Sequence, residues 1–294
     1  MRFEWIKQHV CEFEVQAMCE VLAVSRAGYY AWLKRPVSNR KQANLVLDSR
    51  IEDVFAKSRE TYGSPRVYKA LKKQGISCGK HRIARRMQLK GLISVRRSKF
   101  KPQTTDSNHD LPIAENLLNQ DFTATAPNQR WVGDITYIST AEGWLYLAVI
   151  IDLFSRRVVG WSTSSSIKAE LVYRAMEMAV IRRGKPQDLV YHSDRGSQYA
   201  SSEFRSALAR FGITPSMSRK GNCYDNAVAE SFFDTLKVEL VHRYKFTSRK
   251  AAKIILIDYI EEFYNVNRLH STLAFFSPAE YENLMAKSPK DCVH

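Results

Sequence analysis

The feature that most constrains the fold is an almost wholly apolar run, LYLAVIID at residues 145–152. A short run without polar alternation is typical of a strand that is buried on both faces. Strand patterns at 130–139 and 157–162 enclose it, and helix and strand patterns alternate from 168 to 217. Three consecutive strands followed by alternation predict an α/β fold, a mixed sheet covered by helices.

The remaining elements of this part follow from the same periodicities. We expect helices at 168–183, 201–210, 225–240 and 248–265, and short strands at 188–192 and 212–217. Gly143 and Gly160 lie at or near strand ends, and the first two strands are close enough along the chain to form a hairpin.

Before residue 94 the apolar residues follow helical periodicity and not strand alternation. Residues 14–33 predict helix, turn and helix, with Ser25 as the cap of the second helix. A helix at 43–59 follows, and its predicted apolar stripe is Leu45, Ile51, Val54 and Phe55. A second helix–turn–helix pattern spans 64–90: Ser64 caps the first helix, Pro65 takes its first position, and Gly79 opens the second. On that second helix Ile83 and Met87 are expected to face inward.

Positive charge is concentrated in the first part of the chain. The formal net charge of the 294 residues is +15, from 45 Lys+Arg and 30 Asp+Glu, and residues 1–110 account for +13 of it. A polyanion docking on this region explains the asymmetry better than solvated basic helix faces do, although composition alone leaves that alternative open.

Two other classes are disfavoured by composition. The longest apolar run is too short to cross a bilayer, and the charged residues 1–11 do not resemble a signal peptide. Five scattered cysteines without a CxxC pair indicate free thiols in a reducing compartment rather than disulfides or structural zinc. We therefore expect a cytoplasmic protein with no membrane association.

Three acidic residues occupy positions that a purely structural role explains poorly. Asp134 interrupts a strand, where a carboxylate is partly desolvated. Asp194 follows the strand that ends at 193, and open α/β sheets place their sites at such strand ends. Glu230 lies on the helix 225–240 beside the apolar stripe, on the same flank as Lys237, and is expected to point along the edge of the core.

If these carboxylates converge, their mutual repulsion requires a multivalent cation. Hard oxygen ligands select Mg²⁺ or Mn²⁺, and two such ions about 3.5–4 Å apart support in-line phosphodiester displacement. Lys237 would then bind a phosphate as a point charge. Taken singly, each carboxylate has an ordinary alternative: Asp134 pairs with an arginine, Asp194 caps a turn, and Glu230 is a surface residue.

These residues and the blocks around them resemble a known family. The 35 residues between Asp194 and Glu230 match the DD(35)E signature of retroviral-integrase-like recombinases. The resemblance to the transposases of bacterial insertion sequences covers nearly the whole chain. It rests on VSRAGYYAW (24–32), TYGSPRVYKALKKQG (61–75), WVGDITYI (131–138), YLAVIIDLFSRRVVGW (146–161), HSDRGSQY (192–199), NCYDNAVAESFFDTLKVEL (222–240) and NRLHSTLAFFSPAEY (267–281).

The resemblance implies a ribonuclease-H-like catalytic core with Asp134, Asp194 and Glu230 as its metal-binding catalytic triad. It implies cleavage at the ends of a mobile element and transfer of the 3′-hydroxyl to another phosphodiester, with Mg²⁺ or Mn²⁺ as cofactor. Asp152 lies in a matching block outside the triad, so we interpret it as supporting or structural. The implied partners are double-stranded DNA, further copies of the chain on that DNA, and the protein of an upstream reading frame, separate or fused.

The predicted domain organisation combines these observations. It comprises an N-terminal helical segment (1–40), a basic helix–turn–helix-like domain (41–93), a linker (94–128), the integrase-like core (129–240) and a C-terminal helical extension (241–294).

Residues outside the triad receive narrower predictions. The basic side chains expected to bind DNA are Lys80, Arg82, Arg85, Arg86, Arg219, Lys220 and Lys237. We predict that His192 is structural, that Trp131, Trp144 and Trp161 belong to the core, and that the lone Cys223 is not a ligand; His270 fits DNA contact or packing equally well.

Two other functions share part of this pattern. A DNA-binding regulator of transposition with a spent catalytic domain would share the basic region, and a ribonuclease acting on RNA–DNA hybrids would share the metal chemistry. An intact triad disfavours the first, and the basic N-terminal region disfavours the second.

Overall fold

The computed structural model describes residues 1–95, 111–219 and 223–287, except for the side chain of Cys223. The chain divides into two compact units, residues 1–53 and 54–294. Helix α4 (Asn39–Lys57) crosses the boundary between them. No helix in these described ranges is long and apolar enough to cross a membrane.

In the first unit three short helices precede α4: α1 (Arg2–Gln8), α2 (Val15–Val21) and α3 (Arg26–Lys34). They enclose a small core of Ile6, Met18, Cys19 and Tyr29. The predicted helix–turn–helix at 14–33 is confirmed, and the Ser25 hydroxyl accepts a hydrogen bond from the Gly28 amide at 3.0 Å, as expected of a cap. Helix α1 was not predicted, because a seven-residue helix gives too short a pattern to detect.

The second unit begins with the predicted helix–turn–helix, α5 (Ser64–Lys73) and α6 (Lys80–Leu89). Val67, Leu71, Ile83 and Met87 are buried between them, as expected for the last two. Two details of the prediction are wrong. Gly63, not Ser64, is the N-cap of α5. On α4, Leu45 is exposed and Leu47 is buried in its place, because residues 47, 51, 54 and 55 follow helical spacing more closely.

The mixed sheet is confirmed, with five strands in the order β3-β2-β1-β4-β5. Strands β1 (Arg130–Thr140), β2 (Gly143–Asp152) and β3 (Val158–Ser164) form an antiparallel meander. Strand β4 (Val190–Ser193) pairs in parallel with β1 and with β5 (Thr214–Met217). As predicted, β2 is buried along most of its length.

Helices cover both faces of the sheet. One face buries Trp131, Ala148 and Ile150 beneath α7 (Ala169–Arg183), α8 (Ser197–Ala200) and α9 (Ser202–Phe211). The other buries Val132 and Leu147 beneath α10 (Ala227–Glu239), α11 (Arg249–Ile257) and the π-helical segment Asp258–Asn267. A short 3₁₀ turn, Cys223–Asn226, leads into α10, and α12 (Pro278–Lys287) ends the described chain.

The described part of the predicted linker, residues 111–128, contains neither helix nor strand, yet it packs on the sheet. Leu118 is buried in the core. The Leu117 amide donates to the Ser216 hydroxyl at 2.9 Å, and the Met217 amide donates to the Glu115 carbonyl at 3.3 Å. This stretch is therefore attached to the strand that borders the candidate site.

The helix–turn–helix of the second unit also contacts the C-terminal part of that unit. The Tyr62 hydroxyl donates to the Asn267 carbonyl at 3.1 Å and accepts from the Leu269 amide at 2.7 Å. Arg66 lies 3.7 Å from Glu239, the last residue of α10, and Glu239 is paired with the buried Arg268. The basic helices are thus connected to the C-terminal end of α10.

Candidate active site

The first candidate carboxylate lies in the middle of the sheet. Asp134 is on β1, opposite Val149 of β2, and its Oδ1 accepts a hydrogen bond from the Ile135 amide at 2.7 Å. Its neighbour Gly133 leaves room for a buried tyrosine, because a Cβ there would lie 1.9 Å from the Tyr191 hydroxyl. Glycine at 133 therefore lets the Tyr191 ring pack against β1 beside Asp134.

The second carboxylate lies beside the first through strand pairing. Strands β1 and β4 are parallel, and their last paired residues are Val132 and His192. Asp134 and Asp194 each follow two residues later, so the two carboxylates project from adjacent parallel strands. Oδ1 of Asp194 accepts from the Gly196 amide at 2.9 Å, which fixes its orientation.

The third carboxylate comes from a helix. Glu230 lies in the first turn of α10, where the partial positive charge of the helix N-terminus favours an anion. Ala229, Phe232 and Leu236 of the same helix are buried against the sheet, as predicted. The expectation that Glu230 points along the core edge is wrong, because the side chain is exposed.

The three acids interact electrostatically. The pKa of Asp134 is raised well above its ordinary value, first by desolvation and then by the charge of Asp194, with a further contribution from Glu230. The Ile135 amide and Lys237 oppose the rise. Within the described ranges, no three His, Cys, Asp or Glu side chains are arranged to hold a metal ion. The carboxylates therefore share one electrostatic environment without forming a closed ligand set.

Lys237 lies on the side of α10 that faces this group. Burial lowers its pKa, while Asp234 and Asp134 partly offset that effect. Its ammonium group is 5.2 Å from the centre of the Tyr137 ring, on the same strand as Asp134. Lys237 lies on the helix of Glu230, as expected, and it also contacts an aromatic ring, which the sequence did not indicate.

Buried polar side chains support the strand ends beneath the carboxylates. Burial, together with the charges of Asp194 and Asp134, raises the pKa of both Tyr191 and Tyr199 well above the ordinary range. His192 is fully buried, with Nδ1 2.8 Å from the Ser216 hydroxyl and Nε2 3.1 Å from that of Ser218. Desolvation lowers its pKa to about 4, so it is neutral. The structural role predicted for His192 is confirmed.

A buried carboxylate that the sequence analysis missed, Asp225, lies shortly before α10. Asp225 accepts hydrogen bonds from the Arg219 amide (2.8 Å), Nε (3.0 Å) and Nη2 (2.8 Å), from Asn116 (3.0 Å) and from Gln120 (3.1 Å). Its pKa is held well below the ordinary value, chiefly by Arg219. The only sequence signal was an acidic residue inside the 222–240 block.

Comparison with known proteins agrees with this architecture. The family described as "Integrase core domain" matches residues 124–223 and 230–285, and an "HTH-like domain" matches residues 41–100. The chain is 44% identical over 285 residues to the transposase InsF of insertion sequence IS3A from Escherichia coli strain K12, covering 96% of this chain and 99% of that protein. The chain belongs to the IS3 family of insertion-sequence transposases.

Other relatives are similar over comparable lengths. A 31 kDa protein of insertion element IS600 from Shigella sonnei is 46% identical over 264 residues, covering 90% of this chain and 97% of that one. Among solved structures, a simian T-cell lymphotropic virus intasome chain aligns with 18% identity and a TM-score of 0.48, covering 76% of both chains. The HTLV-2 integrase catalytic core in complex with magnesium aligns with 19% identity and a TM-score of 0.43, covering 54% of this chain and 99% of that one.

The transposase is thus a polynucleotidyl-transferase-type enzyme with a ribonuclease-H-like core. Its predicted DNA-binding side chains lie in three places. Lys80, Arg82 and Arg85 are exposed on α6 and Arg86 is half-buried there, while Lys237 lies on α10. Arg219 is bound to Asp225, and Lys220 lies outside the described residues.

The other predicted roles are resolved by burial. Trp131 and Trp161 belong to the core of the transposase, as predicted, but Trp144 is 49% exposed and the prediction for it is wrong. Asp152 is fully buried and accepts from the Asn128 and Phe154 amides at 2.8 and 2.9 Å, which is a structural role. His270 packs edge-on against Tyr264, so packing is its role in this structure.

Proposed function

We propose that this transposase cleaves the ends of its element and joins the exposed 3′-hydroxyl to another phosphodiester, with Asp134, Asp194 and Glu230 as its catalytic carboxylates. The observation that carries the proposal is the proximity of the acids: Asp134 and Asp194 each lie two residues beyond the last pair of the parallel strands β1 and β4, and the charges of Asp194 and Glu230, after burial, raise the pKa of Asp134. Neighbouring carboxylates that repel one another are stabilised by a shared cation rather than by ionising alone.

The donor set fits a divalent ion in chemical type. All three candidate ligands are carboxylates, which are the ligands that Mg²⁺ and Mn²⁺ prefer. Backbone amides orient Asp134 and Asp194 from behind, as supporting groups do in metal sites. Two divalent ions bound here would activate the attacking hydroxyl and stabilise the departing oxygen of the phosphodiester.

Residues outside the carboxylate group bind the DNA and exclude water. Lys237 binds a phosphate of the reacting strand close to Asp134, and burial of Tyr191 and Tyr199 excludes water from beneath the carboxylates. The basic surface of α6 binds duplex DNA beyond the reacting phosphodiester. Because two element ends must meet, we propose that the transposase acts as a multimer on DNA, together with the protein of an upstream reading frame.

The decisive experiment replaces one carboxylate. Asp194→Asn should abolish end cleavage and strand joining in Mg²⁺ while leaving affinity for end DNA nearly unchanged. Asp188→Asn is a matched control, because Asp188 is exposed before the same strand and its positive φ of 53° suits asparagine. Cleavage that survives in Asp194→Asn would refute the proposal.

The same assay separates the other two functions considered. A catalytically spent regulator would bind end DNA without producing joined products. A ribonuclease would cut an RNA–DNA hybrid and would join no strands. A wild-type chain that joins DNA ends in Mg²⁺, with the upstream-frame protein present, excludes both.

A further inference from the structure

An aromatic pair with one exposed and one half-buried ring lies near the candidate active site. Trp144, at the start of β2, is 49% exposed, and its ring meets that of Tyr137 edge-on with centroids 4.8 Å apart. We call Tyr137 and Trp144 the aromatic platform. A tryptophan that is half exposed to solvent adds little to the core, so its exposed surface is available to a ligand.

The platform is continuous with the carboxylate group through Lys237. The ammonium group of Lys237 is 5.2 Å from the centre of the Tyr137 ring and interacts with Asp134. Tyr137 follows Asp134 by three residues on β1, which is about 10 Å along a strand and places the two side chains on opposite faces of it, and Lys237 interacts with both. Lys237 therefore links the platform to Asp134 around the edge of β1.

The backbone around the platform is fixed. The Trp144 carbonyl accepts from Arg249 Nε at 3.1 Å, and the Glu142 carboxylate accepts from the Arg249 amide at 2.9 Å. The Thr140 hydroxyl donates to the Gly143 carbonyl at 2.6 Å within the same hairpin. A ligand would therefore meet a preformed surface rather than a loop that must order on binding.

A backbone bridge from Thr140 to Phe246 covers the edge of β1 three residues beyond Tyr137, whereas strand β4 ends before Tyr137 is reached. Strand β4 pairs with β1 only from Arg130 to Val132, so in the described chain no strand of the sheet covers this edge at Tyr137. An extended polymer leaving the carboxylate group along β1 would pass Tyr137 and reach Trp144.

We propose that the aromatic platform stacks an unpaired base of the DNA strand, within about three nucleotides of the reacting phosphodiester. Aromatic rings beside an ammonium group match a nucleotide, which offers a π face and a phosphate together. The spacing follows from the strand: about 10 Å corresponds to about three nucleotides at the duplex rise of 3.4 Å, and to fewer where the DNA strand is extended. This inference rests on the proposed function, because it places the reacting phosphodiester at Asp134.

The test combines changes in the protein with changes in the DNA. End duplexes carry a single abasic site at positions one to five from the cleaved phosphodiester, or ten positions away as a control. Wild type, Trp144→Ala and Trp144→Phe are compared by affinity for end DNA and by the rate of strand transfer. Trp5→Ala, which removes another exposed tryptophan, is the matched protein control.

We expect one abasic position among the first three to weaken wild-type binding or strand transfer about tenfold. Trp144→Ala should weaken binding or strand transfer by a similar factor on intact DNA. On the DNA with that abasic position the substitution should cause no further loss, because the platform and the base are then parts of one interaction. Trp144→Phe should retain most of the wild-type value, and Trp5→Ala all of it. An unchanged unfolding midpoint confirms that Trp144→Ala is folded.

Additive losses, or no loss in Trp144→Ala, would overturn the proposal. Affinity is measured without cleavage, so this failure is distinct from failure of the catalytic proposal, which would appear as cleavage by Asp194→Asn.

Discussion

At the scale of single residues, Arg219 and Asp225 change the interpretation of the basic loop before α10. The sequence placed Arg219 among the DNA-binding residues, but its guanidinium and its amide both bind Asp225. Asn116 and Gln120 complete the set from a distant part of the chain. Asp225 lies two residues before the start of α10, so this cluster anchors the chain at the end of that helix that carries Glu230.

Asp225→Asn should therefore reduce strand transfer about tenfold or more while leaving affinity for end DNA nearly unchanged. The amide cannot hold the Arg219 guanidinium as the carboxylate does, and small displacements of a catalytic group are costly. Arg219→Gln should produce a similar loss, and the double variant should lose no more than either single one. A shallower salt dependence of DNA binding in Arg219→Gln would instead assign Arg219 to a phosphate contact.

His270 makes a second residue-scale prediction, about pH. Its pKa lies well below the ordinary value, first because of burial and then because Arg268, Arg66 and Arg156 are close. Between its folded pKa and the unfolded value of about 6.5, the unfolded chain binds more protons than the folded chain does. The contribution of neutral His270 to the stability of the fold is therefore complete above about pH 6.5 and is lost as the pH falls.

The unfolding midpoint of wild type should decrease as the pH is lowered from 7 to 5, and that of His270→Gln should decrease less. His81→Gln removes an exposed histidine of α6 and should retain the wild-type dependence. Thermal unfolding across this pH range measures the difference, and identical slopes for wild type and His270→Gln would contradict the assignment.

At the scale of elements, the packing of α7 on β3 depends on Gly160. A Cβ at this position would lie 2.2 Å from the Ala175 carbonyl oxygen and 2.7 Å from the Ala179 Cβ. The two alanines and the glycine let the helix approach the strand closely. Neither neighbour is the end of a flexible side chain, so the backbone has to move if the space is filled.

Gly160→Ala should lower the free energy of unfolding by about 1–3 kcal/mol, the usual cost of overpacking a core. Gly79→Ser is the control, because nothing lies within 4 Å of a Cβ there and serine suits the cap of α6. Chemical denaturation measures both, and wild-type stability in Gly160→Ala would show that α7 can move without cost.

The elements also show what the sequence can and cannot specify. The strands of the sheet were predictable because their patterns are local; Asp134 was singled out because it interrupts a strand, and Asp194 because it follows one. The exposure of Trp144 was not predictable, since a residue next to a hairpin turn has the same sequence pattern whether its ring is buried or exposed. The Asp225 cluster joins residues about a hundred positions apart, and no local periodicity encodes such a contact.

At the scale of the molecule, the units divide the positive charge unevenly. Residues 1–53 contain 8 Lys+Arg and 7 Asp+Glu, whereas residues 54–95 contain 11 Lys+Arg and a single acidic residue. The excess that the sequence assigned to the first third of the chain therefore belongs to the second unit. There the helix–turn–helix contacts the end of α10 through Arg66 and Glu239, so the basic surface is attached to the catalytic helix.

This distribution predicts where the salt dependence of DNA binding originates. Replacing both Arg82 and Arg85 of α6 by glutamine should make the slope of log affinity against log salt shallower by about 2, because each phosphate contact contributes about 0.9. Replacing Lys7 and Lys34, two exposed basic residues of the first unit, removes the same charge and should leave the slope unchanged. Binding titrations between about 50 and 200 mM salt measure both. Equal flattening in the two double variants would mean that DNA responds to net charge and not to the surface of α6.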